Sequence, residues 1–488
     1  MLPLDILKMI FNILDPKSQI YLVSTCSYFR NKLFITNMCD IDDKYMENMT
    51  TEILKYPIFR NIINLDIGSN MKITDVSFLE SLKKLRISFK SAINQNGIQD
   101  LDLIEFYANR NDKISNVSFM KSLKILHIRG HCRINQNGIK GLDLVELDVS
   151  YNRKISNVSF MKSLKVLYAD NCCGINQNGI TGLDLVTLHA SDNRYITNVS
   201  FMKSLKNLHA NYRCGINQNG IKNLDLVELN ASDNYRIKNI SFMKSLKILN
   251  AWRSCGIDQK GIQGLDLIEL YVAENKKIIN VSFMKSLKHL DISDFVCGVD
   301  QNGIMGLDLV ELCADYNNKI TNVSFMKSLK YLNARNICGI NQSGIKNLQL
   351  RELYISDNEK IFDLTFMKSL EILNASGKCE INQNSIRGLN LIQLIVSNNN
   401  KITNVSNMKS LKILNASNEC GINQKGINGL ELFELCADDN GKITNVSFMT
   451  SLKILYAGGF SEIDQNSIKG LKLDKLYTRY NNKFNTDI

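Results

Sequence analysis

Residues 144–184 read LVELDVSYNRKISNVSFMKSLKVLYADNCCGINQNGITGLD, and close variants of this 41-residue text fill most of the chain. Leu82, Leu123, Leu164, Leu205, Leu246 and Leu287 fall 41 residues apart; the next interval, to Leu329, is 42, and Leu370, Leu411 and Leu452 resume at 41. The one extra residue lies between Leu290 and Cys297. A fixed period of this kind marks stacked supersecondary units and takes precedence over any local motif.

Each 41-residue unit divides into two shorter copies. The first reads L-x-x-L-x-(A/V/I)-x-x-N, as in Leu144, Leu147, Val149 and Asn152; the second reads L-x-x-L-x-(A/I)-x-x-x-C, as in Leu164, Leu167, Ala169 and Cys173. Their spacing alternates between 20 and 21 residues. This text resembles a leucine-rich-repeat array from about residue 62 to 481, with about 21 short copies, 11 of Asn type and 10 of Cys type. The fold expected is therefore an α/β solenoid. Each copy contributes one short strand whose apolar side it cannot bury alone, so neighbours must stack, at roughly 4.8 Å per copy in a parallel ladder. Where the chain turns after the strand, inward backbone groups need partners, and each left unpaired costs about 1–3 kcal/mol. Asn donates and accepts there, and Cys fills the sister place as a small buried weak donor. Copies this short leave room only for a single turn or 3₁₀ piece, expected at 158–162 and 178–182. The glycines of the recurring Gly-Ile-Asn-Gln-Asn-Gly-Ile are expected at turns that need a left-handed residue.

The chain has 488 residues, 44% of them hydrophobic and 22% charged, ordinary values for a soluble folded protein. No run approaches the ~18 apolar residues of a membrane span, and no secretory signal pattern opens the sequence. Of the 13 cysteines, those in the ladder recur every second copy, roughly 10 Å apart, too far to bridge. Free thiols in such number fit a reducing compartment, cytoplasm or nucleus.

Residues 1–36 share nothing with the repeat. Leu4, Leu7, Ile10, Phe11 and Leu14 fall at helical spacing up to Asp15-Pro16, and Ile20, Val23, Cys26 and Phe29 form a second amphipathic run. Leu2-Pro3, Asp5-Ile6-Leu7, Ile10, Leu14-Asp15-Pro16-Lys17, Leu22-Val23-Ser24, Cys26 and Phe29-Arg30 resemble the opening of an F-box. The resemblance implies that this segment binds the adaptor of a cullin–RING ubiquitin ligase while the repeats hold the substrate. The residues it implies for adaptor contact are Leu2, Pro3, Leu4, Ile6, Leu7, Ile10, Leu14, Pro16, Leu22, Val23 and Phe29. Residues 37–61 read as a linker and N-terminal cap with a helix over 45–55, and 482–488 as a tail. An F-box followed at once by near-identical repeats is similar to eukaryotic F-box/leucine-rich-repeat proteins. The Asn-rich 41-residue flavour resembles the repeat families of giant DNA viruses of amoebae, which would place the chain in host-cell cytoplasm.

Strand positions pointing away from the core are expected to line a concave face. Counting each first leucine as zero, position two holds Glu105, Glu146, Glu228, Glu269, Glu311, Glu352 and Glu434 in Asn-type copies, against Ile125, Val166, Ile248 and others in Cys-type copies. Acidic and apolar rows should alternate. The plainer alternative is that these glutamates only pair with lysines of neighbouring copies, such as Lys124 and Lys165, for about 0–1 kcal/mol each. Position four runs through Tyr107, His127, Tyr168, His189, His209 and Tyr271, with Tyr212 and Trp252 alongside. Aromatic groups on rigid strands are good anchors for a protein partner, so these residues, with Glu146, Glu228 and Glu269, form the candidate partner-binding face; β-propensity alone is the competing explanation.

His189 and His209 share a column but have no third ligand beside them, so no metal or cofactor is expected. No catalytic signature is present, and text repeated in every copy speaks for architecture. The net charge of +11 draws on a row of lysines (Lys121, Lys162, Lys203, Lys244, Lys285, Lys327, Lys368, Lys409) on the convex side, spaced about one Debye length. Such a comb could follow a phosphate backbone, which ranks nucleic-acid binding third. First is a monomeric, non-enzymatic substrate receptor of a cullin–RING ligase with an unidentified protein target; second is a protein-binding repeat scaffold with no ubiquitin role.

Overall fold

The computed structural model describes residues 4–484 apart from Cys26, Asp40 and Asp42; Leu2 and Pro3 lie outside the described residues. The chain divides into two compact units, Met1–Ile237 and Lys238–Ile488.

The first unit opens with three helices, α1 (Leu4–Ile13), α2 (Pro16–Thr25) and α3 (Ser27–Lys32). Pro16 starts α2 at the first helical position, where its missing N–H costs nothing. Phe11, Val23 and Leu33 are buried, and the Gln19 side chain donates to the Phe11 and Leu14 carbonyls at 2.9 and 3.0 Å. A two-residue strand, β1 (Asn37–Met38), then pairs in parallel with β2 (Asn64–Asp66), so the ladder begins one strand earlier than the repeat text. The single helix expected over 45–55 is instead two short ones, α4 (Asp43–Met46) and α5 (Thr51–Leu54). Thr50 breaks it: its backbone is extended (φ −126°, ψ 164°) and its side chain accepts the Ile53 amide, capping a new helix.

From β2 to the strand Glu228–Asn230 the first unit adds one strand per copy, all parallel and without stagger: Ile125 faces Glu146, Leu126 faces Leu147, and His127 faces Asp148. The second unit repeats this from Ile248–Asn250 to Lys475–Tyr477. Each unit is a leucine-rich-repeat solenoid. Leu144, Leu147, Val149, Ile155, Val158 and Met161 of one copy are fully buried, as are Leu164, Leu167, Ala169, Ile175 and Ile180 of the next. At about 1.5–3 kcal/mol per large apolar side chain, this burial between neighbours is what makes the array fold.

The polar ladder forms. Asn193 donates to the Ala169 and Ile175 carbonyls at 2.9 and 3.1 Å and accepts from the Tyr195 and Ile196 amides at 2.9 and 3.3 Å. In the second unit Asn358 does the same with the Ala334 and Ile340 carbonyls and the Lys360 amide. The Cys173 and Cys379 thiols donate back to Ala169 and Ala375 at 3.1 Å. Burial pushes the Cys173 and Cys214 thiols up to about 12, so they stay protonated; the described cysteines are all free.

Two local expectations need correction. A 3₁₀ turn forms at Asn178–Ile180, but 158–162 makes only a β-turn, closed by Met161 N–H to the Val158 carbonyl at 3.0 Å. Side chains compete there with helix formation: Asn157 accepts the Ser159 amide, and Asp143 of the preceding copy accepts the Ser163 amide, both at 2.9 Å. The glycines of Gly-Ile-Asn-Gln-Asn-Gly-Ile are not left-handed either. Gly179 is glycine because a Cβ would collide with the Ser156 carbonyl oxygen. The left-handed glycine is the one after it, Gly182, at φ +74°.

The Asp–Ser contact carries a pH dependence. Asp143 accepts both the Ser163 amide and hydroxyl, and these bonds hold its carboxyl below the ordinary Asp value; Asp102, Asp184, Asp266 and Asp308 are lowered in the same way. A carboxyl lowered in the folded state stabilises it above the unfolded value, about 3.9, and that contribution is lost as pH falls through the folded value. Thermal melts should therefore drop increasingly below about pH 4, and Asp143→Asn should flatten that drop; an identical acid profile would refute the assignment. Among the described residues no helix is long and apolar enough to cross a membrane.

Candidate partner-binding face

On the strands of the first unit position three fills the core, while positions two and four stay partly exposed, as in the half-open, buried, half-open pattern of Val166–Tyr168; Asp148, at position four, is the buried exception. The expected alternation of acidic and apolar rows is present: Glu146 lies between Ile125 and Val166 in register. The acids are not held by Lys124 and Lys165, whose ammonium groups reach the Asp143 and Asp184 carbonyls at 3.5 and 3.3 Å. Glu146 meets His127 at 2.7 Å and Glu228 meets His209 at 3.1 Å. Glu105 accepts from Tyr107 at 3.1 Å and pairs with Lys84 at 2.7 Å. The glutamate row thus braces the position-four row beside it.

That row is a nearly continuous line of ring contacts, edge-on at Tyr107–His127 and His127–Tyr168, tilted at Tyr168–His189 and stacked at His189–His209. Ring centroids lie 4.7 Å apart for Tyr107 and His127, 6.1 Å for His127 and Tyr168, 4.5 Å for Tyr168 and His189, and 4.0 Å for His189 and His209. The Arg86 guanidinium sits 4.5 Å over the Tyr107 ring. Burial and the neighbouring His209 bring His189 down to about 4, so it is neutral at pH 7, an uncharged plate between two rings. Burial also raises the Asp170 carboxyl, which accepts the Ser191 amide at 2.7 Å. Among the described residues no three His, Cys, Asp or Glu side chains are grouped to hold a metal. Tyr212 stands apart from the row, at φ 58° and 48% exposed. Its left-handed backbone recurs at Asn171 and belongs to the repeat rather than to a special site.

In the second unit Tyr271 donates to Glu269 at 2.9 Å. Trp252 is half-buried, carries Arg253 at 4.5 Å over its ring, and Arg253 pairs with Glu274 at 3.3 Å. The Trp252 indole nitrogen is buried without a hydrogen-bond partner among the described residues. Further along, Glu311 pairs with His289 at 2.9 Å and Glu352 accepts from Tyr354 at 3.2 Å, so the same bracing of the outer columns recurs.

Of the F-box-like positions, Ile6 and Ile10 on α1 are 44% and 43% exposed, flanked by Met9 and Ile13 at 67% and 82%. They form an apolar row open to a partner. Leu4, Leu7, Leu14, Pro16, Leu22 and Phe29 are half-buried. Val23 is completely buried, so it cannot touch an adaptor. The lysines of the expected comb are exposed, and several spend a donor on a nearby carbonyl, as Lys203 does on Ser200 and Lys409 on Gly429.

One ladder went unread in the sequence. Gln177 donates to the Asn198 carbonyl at 2.9 Å and accepts the Thr197 and Asn198 amides at 3.0 and 2.8 Å, and Gln383 repeats this with Asn404 and Thr403. Its signal was present, a glutamine at the same place in every Cys-type copy.

No protein-family model and no curated protein matches this chain. Solved structures do match at low identity. TLR13 in complex with ssRNA13 is 16% identical, with 91% of this chain and 84% of that chain covered, TM-score 0.45. The circular leucine-rich-repeat protein CroV588 is 18% identical, with 89% and 70% covered, TM-score 0.46. A leucine-rich-repeat protein of Leptospira interrogans is 17% identical, with 91% and 95% covered, TM-score 0.31.

Proposed function

We propose that this chain is a protein-interaction receptor, the substrate-recognition subunit of a cullin–RING ubiquitin ligase. The strand face of the first unit captures the target, and α1 engages the adaptor. The observation that carries the first half is the row of touching rings Tyr107, His127, Tyr168, His189 and His209, braced from the side by Glu105, Glu146 and Glu228. Side chains already ordered by their neighbours lose little entropy on binding, so their contact area is converted to affinity efficiently. The second half rests on the F-box-like text and on the open apolar row Ile6, Met9, Ile10 and Ile13, a helix face suited to a hydrophobic groove on a partner.

Affinity purification of the full chain from eukaryotic cells tests both. Tyr168→Ala should weaken target binding by about 1–2 kcal/mol while leaving Tm unchanged, and Trp252→Ala does so if the target extends over the second unit. Unchanged capture by Tyr168→Ala would remove the strand face from the interface. An Ile6→Ser, Ile10→Ser double variant should lose adaptor and cullin yet keep the target. If the unmodified chain retrieves a target but no adaptor, the scaffold reading without a ubiquitin role replaces this one.

A further inference from the structure

The Asp–Ser contact that closes most Met-Lys-Ser-Leu turns is missing at two successive ones, those of Ser369 and Ser410, and what remains there is a pocket of cations. Asp143 accepts the Ser163 amide and hydroxyl at 2.9 and 2.7 Å, and Asp308 accepts those of Ser328 at 2.8 and 2.7 Å; three further copies do the same. In the copies before Leu350 and Leu391 the aspartate is replaced by Gln349 and Asn390. Gln349 turns its amide toward the Phe366 carbonyl at 3.1 Å. Neither Ser369 nor Ser410 has a hydrogen-bond partner for its amide or hydroxyl among the described residues.

Both serines line one open pocket of about 610 Å³ together with Asn390, Lys368, Lys409 and Lys412. Among the described residues the three ammonium groups reach only backbone carbonyls, of Gly388, Gly429 and Glu431, at 3.4, 3.0 and 3.5 Å. The one carboxylate in the lining, Glu371, is engaged by Arg351 at 2.7 Å. The pocket therefore has unspent donors and unneutralised positive charge, in a place where the sister copies hold a carboxylate.

We propose that this pocket binds a phosphate group. Two of its oxygens take the part played elsewhere by the aspartate carboxylate, accepting from the Ser410 amide and hydroxyl. The Asn390 side-chain amide donates, as an aspartate there could not, and Lys368, Lys409 and Lys412 supply the charge. Three ammonium groups match a phosphate, with nearly two negative charges at neutral pH, better than a single carboxylate. The group can arrive as free inorganic phosphate or as a phosphorylated side chain of a bound protein.

Equilibrium dialysis of the full chain against inorganic phosphate, at constant ionic strength in chloride, tests the site. Asn390→Asp restores the sister contact to Ser410, so it should keep or raise Tm while weakening phosphate binding at least about tenfold, the equivalent of one lost charge-assisted hydrogen bond. Lys409→Gln with Lys412→Gln should weaken it comparably without unfolding the turn. Phosphate binding that Asn390→Asp leaves unchanged, or no binding above that of the variant, overturns the proposal. A phosphoserine peptide that binds more tightly than inorganic phosphate assigns the site to a phosphorylated partner. Equal or weaker peptide binding assigns it to the free ion.

Discussion

Asn193→Ala should lower the free energy of unfolding by about 3 kcal/mol, far more than its size suggests. The substitution leaves the Ile175 carbonyl and the Tyr195 and Ile196 amides without their partner in a place that is completely buried. The Ala169 carbonyl is spared, because the Cys173 thiol also donates to it. Asn193→Asp should be no better, since it keeps the shape but replaces a donor with a buried charge. Chemical denaturation measures the loss, and hydrogen exchange should show it first at Tyr195 and Ile196. Because each copy touches only its neighbours, the damage stays local. A variant as stable as the parent would mean that the asparagine column is not what satisfies the turn.

Gly179→Ala and Gly179→Ser should separate, with the larger side chain the better tolerated. A Cβ at 179 runs into the Ser156 carbonyl oxygen, and forcing an extra methyl into such a place costs about 1–3 kcal/mol. The gain from a stiffer unfolded chain, about 0.4–1 kcal/mol, offsets only part of that. Two copies of this protein already carry serine there. The Ser385 and Ser467 hydroxyls donate at 2.6 Å to the Phe362 and Thr444 carbonyls, the same oxygens that a methyl would meet. The adjoining backbone bond yields slightly, from 2.9 Å between Val158 and Gly179 to 3.1 Å at Leu364–Ser385 and 3.3 Å at Val446–Ser467. Serine brings the same Cβ, so the backbone must still give way, but its hydroxyl bond to that oxygen offsets the cost, and the methyl of alanine cannot. Equal melting temperatures for the two variants would sink this reading.

Both substitutions act on the inner side of the copies, whereas the proposed contacts lie at strand positions two and four, on α1 and at the Met-Lys-Ser-Leu turns. Variants of Tyr168 or Asn390 can therefore be read for binding without a large stability correction, and those of Asn193 or Gly179 cannot.

The sequence by itself determined the repeat, the strand in each copy and the Asn and Cys columns. A period of 41 with leucines at fixed offsets admits one way of burying them, and an inward turn must be served by a residue that both donates and accepts. It also carried the alternation of acidic and apolar rows, because side chains on a strand alternate with period two. Only the tertiary structure decided the partners. That Glu146 braces His127 rather than pairing with Lys124, and that Val23 is sealed while Ile10 is open, depends on distances across copies and between helices that no local pattern encodes. The same holds for Gly179, whose necessity comes from a carbonyl 23 residues away in sequence rather than from its own φ. Asn390 lies between the two: its departure from the aspartate column was legible, but the loss became meaningful only once the aspartates were seen to close a turn in the neighbouring copy.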